Sequence, residues 1–298
     1  MSFNKRCLPQ IIFLLILHQS LWGQLPQTYI YSLDLDVNEN KVILDNVQFL
    51  TDFNPSGYNN QPHFIDDESL LITSNWKNED QTDVWLLDLT KHDITRITAT
   101  DAGEFSPTIQ SDGMNFSVIR QTFTDENDPI QVLWSYPLER SHGGKPIILD
   151  PSTVGYHTWL ASDKVALYLV GDPSELIIYD TKTKATEHVA YNVGRALKTS
   201  SKEDLIFIQK TGSTNHIRKY NLGTHRSTLL TTSIDGQEDF DVLPNDFLIA
   251  GQGSKLMIHR PMLDHGWKEI KDLSSLGIIS ISRIASSSNR IAIVTTQN

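Results

Sequence analysis

One pattern recurs along the chain and leaves few folds open to it. A short strand ends in Asp or an equivalent turn residue, and a turn and a further strand follow. It reads Tyr31-Ser32-Leu33-Asp34, Trp85-Leu86-Leu87-Asp88, Leu133-Trp134-Ser135-Tyr136-Pro137, Ile177-Ile178-Tyr179-Asp180, Ile217-Arg218-Lys219-Tyr220-Asn221 and Met257-Ile258-His259-Arg260-Pro261. Successive copies lie roughly 40 to 50 residues apart, the spacing of propeller blades. No long stretch has helical periodicity. Short apolar runs such as Leu70-Leu71-Ile72 and Leu205-Ile206-Phe207-Ile208 are broken by Asp, Asn, Gly and Ser, which is the signature of strands and turns.

A second unit precedes each of these strands: strand, tight polar turn, strand. Examples are Pro62-His63-Phe64-Ile65-Asp66-Asp67-Glu68 and Pro107-Thr108-Ile109-Gln110-Ser111-Asp112-Gly113, with later copies around Ser162-Asp163 and Asn245-Asp246. Asp-Gly and Asn-Asp steps suit hairpins because they tolerate positive φ. Each blade is therefore expected to hold four antiparallel strands. Five complete blades fit between Thr51 and Leu276. The stretches 28–48 and 279–295 supply two strands each, so a sixth blade would be closed by both ends of the chain. The expected fold is an all-β, six-bladed β-propeller over 24–298. A seventh blade would shorten the mean repeat below every observed spacing.

The two proline-led copies, followed by Trp85-Leu86-Leu87-Asp88-Leu89, resemble the WD-like repeats of TolB-like six-bladed propellers. Later copies are degenerate, and Pro107 is the last leading proline. The resemblance implies an exported or periplasmic protein that works mostly by protein contacts rather than catalysis. It constrains the fold far more than the function. No separate α/β domain is expected ahead of the first blade.

Residues 1–23 read as a secretory signal peptide. Lys5 and Arg6 begin it, Ile11 to Leu17 form its apolar core, and Gly23 precedes the cut. The apolar run is too short to span a bilayer. The single cysteine, Cys7, lies in this leader, so disulfides, thiolate nucleophiles and cysteine-bound zinc are excluded from the mature chain. The expected location is the periplasm or the outside, with no transmembrane segment in the mature protein. The formal net charge is -11, and no Lys/Arg run of five or more appears, which argues against nucleic acid as a partner.

Candidate site residues follow from propeller geometry, in which the loop leading into each inner strand forms one mouth of the channel. Those loops carry Asn60, Glu104, His157, Arg195 and Asp239, expected to converge on the axis as a ligand-binding mouth. Arg195 would suit a carboxylate or sugar; Glu104, Asp239 and Asn60 would suit a divalent cation; His157 would suit a base. Against this, loops are polar in any case and channel walls must hold water. His63 reads as a channel-lining or core histidine. Asp34-Leu35-Asp36-Val37-Asn38 has the start of a calcium loop without its sixth-position glycine and reads better as a hairpin. Gly251-Gln252-Gly253-Ser254-Lys255 is a turn rather than a phosphate loop. No Gly-x-Ser-x-Gly elbow occurs. Trp85, Trp134 and Trp159 are assigned to packing between blades, while Trp76 and Trp267 stand among polar neighbours.

The expected function is a non-enzymatic binding module, monomeric and without a cofactor, that takes a protein or small polar ligand at the channel mouth. The alternative is a metal-dependent lactonase-like hydrolase with an axial site, built on Glu104, Asp239, Asn60 and His157.

Overall fold

The computed structural model describes residues 25–38, 41–76, 81–140 and 143–297. The leader expected over 1–23 lies outside them. Regular structure in these residues is all strand, apart from one 3-10 turn at Ser274–Leu276. The strands form six four-stranded antiparallel sheets, five of them from consecutive strands. From the axis outward, blade 1 starts at Asn59–Phe64, blade 2 at Gly103–Ile109, blade 3 at Val154–Trp159, blade 4 at Val193–Thr199 and blade 5 at Asp241–Val242.

Blade 6 is the closure. Its order from the axis is Ile278–Ser286, Arg290–Gln297, Tyr29–Asn38 and Lys41–Phe49. The seam pairs Tyr29 with Thr295 and Asp34 with Arg290. The expected shared blade is therefore present, with the strands from the end of the chain on the inside. Asp34 pairs with Asp45 across the outer hairpin, as the hairpin reading of that segment requires.

The reason the apolar runs are continuous is that both faces of each blade are covered. Neighbouring residues on a strand point to opposite faces. Leu70 and Ile72 pack toward blade 6 with Ile30, Ala292 and Val294, while Leu71 packs toward blade 2 with Phe116 and Val118. Leu205 and Phe207 face blade 3, and Ile206 and Ile208 face blade 5. The six buried clusters of the described residues each lie between two adjacent blades.

The repeat's Asp and Asn residues have a local task. Asp88 Oδ1 accepts the amides of Thr90 and Lys91, Asp180 Oδ1 those of Lys182 and Thr183, and Asn221 Oδ1 that of Thr224. Each side chain closes the turn to the outermost strand of its blade. Gly113 and Asp246 adopt φ of 67° and 60° in the hairpins expected to need positive φ.

Trp85 is buried between blades, with Trp134 and Trp159 packed partly against such clusters. Trp76 also packs inward, edge-on to Phe53 and Trp85. Trp267 Nε1 donates to the Thr232 carbonyl at 2.9 Å.

Candidate functional site

The six inner strands enclose a cavity of about 290 Å³ on the propeller axis. That is close to the lower bound, about 300 Å³, of small-ligand pockets. Its charged lining is Arg195, Lys198 and Arg283 against Asp239 and Asp241. Three cations face two carboxylates, leaving one positive charge in surplus inside a chain whose formal charge is -11.

Asp239 sits at the centre of this arrangement. Its Oδ1 accepts the amide of Ile284 at 2.9 Å. Its Oδ2 lies 3.8 Å from Arg283 Nη1 and 4.0 Å from Arg195 Nε, beyond hydrogen-bonding distance from both. Burial raises the Asp239 pKa, against the pull of Arg283, Lys198 and Arg195. The surrounding cations favour its charged form, and a proton taken up here would only enlarge the positive surplus.

Both guanidiniums are tethered to other blades. Arg283 Nη2 donates to the Tyr156 phenol oxygen at 2.9 Å, and Arg195 Nη2 to the Ser282 carbonyl at 3.0 Å. Lys198 Nζ lies 3.1 Å from Asp241 Oδ1, while Asp241 Oδ2 accepts the amide and hydroxyl of Ser286.

Two histidines also line the cavity, His63 and His157. Burial lowers the His63 pKa to about 4, with the Lys198 charge adding to the effect. Burial likewise lowers His157 to about 3, with His63 adding. Both rings are therefore neutral near pH 7. His157 Nε2 is 2.7 Å from Ser117 Oγ, which also accepts from Trp159 Nε1.

Of the five residues expected at the mouth, His157, Arg195 and Asp239 line the cavity; Asn60 and Glu104 do not. In blades 1 and 2 neighbouring residues take the axial positions instead. The pairing of the innermost two strands shifts between Asn60 and His63 in blade 1, and between Phe105 and Thr108 in blade 2. Gln61 and Ser106 take φ of 53° and 52° there, as a bulge allows. Gln61 and Ser106 then reach the axis, and Gln61 Oε1 accepts the Ser106 amide at 2.8 Å. Asn60 Oδ1 turns to the amide of Gln61.

Glu104 is fully buried between blades 1 and 2, where its Oε1 accepts from Thr100 and Tyr136 at 2.5 and 3.0 Å. Burial raises its pKa to about 7, and the charge of Asp83 adds to this against those two hydrogen bonds. Its separation from the Asp239 cluster leaves the expected cation-binding set unassembled. Among the described residues, no group of three or more His, Cys, Asp or Glu is placed to hold a metal ion.

Sequence reading missed Tyr156, Lys198, Asp241 and Arg283 as members of the site. Each lies on an inner strand: Tyr156 immediately before His157, Lys198 three residues after Arg195, Asp241 two after Asp239, and Arg283 within the closing strand. Alternation along those strands was the available signal.

No family model matches this sequence, and no curated protein matches it. Solved structures do. TolB from Agrobacterium tumefaciens, described as putative, superposes with a TM-score of 0.66 at 11% identity, over 90% of this chain and 98% of that one. The fold is that of a TolB-like propeller. TolB from Acinetobacter baumannii matches with a TM-score of 0.57 at 12% identity, over 93% of this chain. The chain spans 65% of the Acinetobacter TolB. The TolB-like fold is shared more widely: a chain of the nidogen/laminin complex matches with a TM-score of 0.63 at 10% identity, over 87% of this chain and 97% of that one. An oligogalacturonate lyase solved with manganese matches with a TM-score of 0.57 at 10% identity, over 86% and 82%. At these identities the likeness to TolB and the others is one of fold.

Proposed function

We propose that this chain is an exported binding module that engages a protein or small polar ligand through the mouth of its channel. The observation that carries the reading is the axial cavity with its surplus positive charge, set in an acidic protein. Such a cavity concentrates anionic groups that the rest of the surface repels. The TolB-type fold supports a binding role, and the apolar leader with its cationic start supports export. The hydroxyl–imidazole contact of Ser117 with His157 has its serine fully buried and outside the cavity lining, so that hydroxyl is not presented to a ligand as a nucleophile would be.

The test uses Thr158, which lines the cavity. Thr158→Trp fills the channel from a strand whose backbone pairing it leaves intact. Partners cross-linked from the native compartment to the wild-type chain should be lost with this variant and retained with a control such as Thr228→Trp on an outer strand. Equal capture by wild type and Thr158→Trp, or turnover of a substrate by the purified protein, would overturn the reading.

A further inference from the structure

We infer that the axial cavity recognises a single carboxylate group of its ligand, held between Arg195 and Arg283 with the Tyr156 hydroxyl as a third donor. This inference rests on the binding-module reading and specifies its chemistry.

Three observations converge. First, the two guanidiniums share one carboxylate, Asp239, and neither is close enough to hydrogen-bond it. Their charge is thus only half matched, and their donors are not consumed by their neighbour. Second, two donors in this space lack an acceptor among the described residues. Arg195 Nε is buried with no acceptor. The Tyr156 oxygen accepts from Arg283, so its own proton is free to be donated, and no described residue accepts it. A buried donor without an acceptor costs free energy unless a ligand or water satisfies it. Third, the charge count selects the ligand. With Asp239 ionised, one net positive charge is neutralised by a monoanion, whereas a dianion would be left in excess beside Asp239 and Asp241. Planar guanidiniums also match the planar two-oxygen geometry of a carboxylate. A volume of about 290 Å³ admits a carboxylate with a few attached atoms, so a chain end or an acidic side group fits and a large rigid anion does not.

The inference is tested by titrating the full chain with N-acetylglycine, its neutral isostere N-acetylglycinamide and inorganic phosphate, followed by NMR or calorimetry. The acid should bind at least tenfold more tightly than the amide. Arg195→Gln and Tyr156→Phe should each weaken the acid at least fivefold with little effect on the amide. Thermal melts identify any variant that has unfolded, and two independent variants keep the test decisive if one fails to fold. Equal binding of acid and amide, unchanged binding by both folded variants, or competition by phosphate as strong as that of the acid would each overturn the assignment. The two readings fail separately. If the acid does not bind but Thr158→Trp still abolishes partner capture, the carboxylate assignment falls and the binding module stands. If Thr158→Trp leaves capture unchanged, the binding module falls first.

Discussion

Arg283 donates to the phenol of Tyr156 across the full width of the channel, from the closing blade to blade 3 on the opposite side of the ring. The guanidinium also lies over the Tyr156 ring, 5.1 Å from its centroid. Arg195 and Lys198 of blade 4 make comparable reaches to the Ser282 and Ile284 carbonyls of blade 6. The channel is thus braced by side chains as well as walled by strands. Tyr156→Phe should lower stability by about 1–3 kcal/mol, since a buried charged donor loses its acceptor. Urea denaturation would measure this, and a cycle with Arg283→Met should show the two changes to be strongly non-additive.

Glu104 should make the protein lose stability as pH rises. Its folded pKa is raised to about 7 from 4.5. Between those values the folded state holds a proton that the unfolded chain releases, so the contribution is full below about pH 4.5 and is lost through pH 7. Glu104→Gln mimics the protonated form. Relative to wild type, this variant should gain stability between pH 5.5 and pH 8 in paired denaturation curves. A parallel pH dependence in the two proteins would contradict the assignment.

His157 should act in the opposite sense. Its folded pKa is lowered to about 3 from 6.5, so between those values the unfolded chain binds a proton that the folded state refuses. Stability is full above about pH 6.5 and falls on acidification, by up to about 1.4 kcal/mol per pH unit. His157→Gln retains a polar partner for Ser117 and removes the titration. Acid unfolding of this variant, followed by fluorescence, should begin at a lower pH than in wild type.

Gly251 lies at a close approach of blades 5 and 6. A Cβ there would lie 2.7 Å from both the Ile281 Cβ and the Ile281 carbonyl oxygen. Gly251→Ala must push the closing blade outward and should destabilise by about 1–3 kcal/mol. Gly212→Ala serves as a contrast: no atom would crowd its Cβ, and its cost comes from a φ of 64° alone. The melting temperatures of the two variants separate interface overlap from backbone strain.

The architecture was legible because its signals are local and repeated. Asp88, Asp180 and Asn221 end their strands to cap turns, Gly113 and Asp246 take the positive φ of hairpins, and Leu70-Leu71-Ile72 is apolar throughout because blades cover both its faces. The site was only partly legible. His157, Arg195 and Asp239 line the axial cavity, but Asn60 and Glu104 do not, and Gln61 and Ser106 take the axial places in their blades. A one-residue offset reverses the direction of a side chain, and the polar pair Asn60-Gln61 does not announce which of the two faces the axis. Arg283 was missed because it lies mid-strand, where no turn draws attention to it.

The order of strands in the closing blade has a consequence for how the channel comes into being. Its two inner strands, Ile278–Ser286 and Arg290–Gln297, come from the far end of the chain, and the first of them carries Arg283. Blades 1 to 5 can therefore stack as an open arc during synthesis, but the arc has no complete cavity. Asp239 gains its backbone donor, Ile284, and the second of its two arginines only when that strand docks. Assembly of the axial cavity is thereby coupled to the docking of one strand: without Ile278–Ser286 the other blades hold Asp239 with neither Arg283 nor the Ile284 amide beside it.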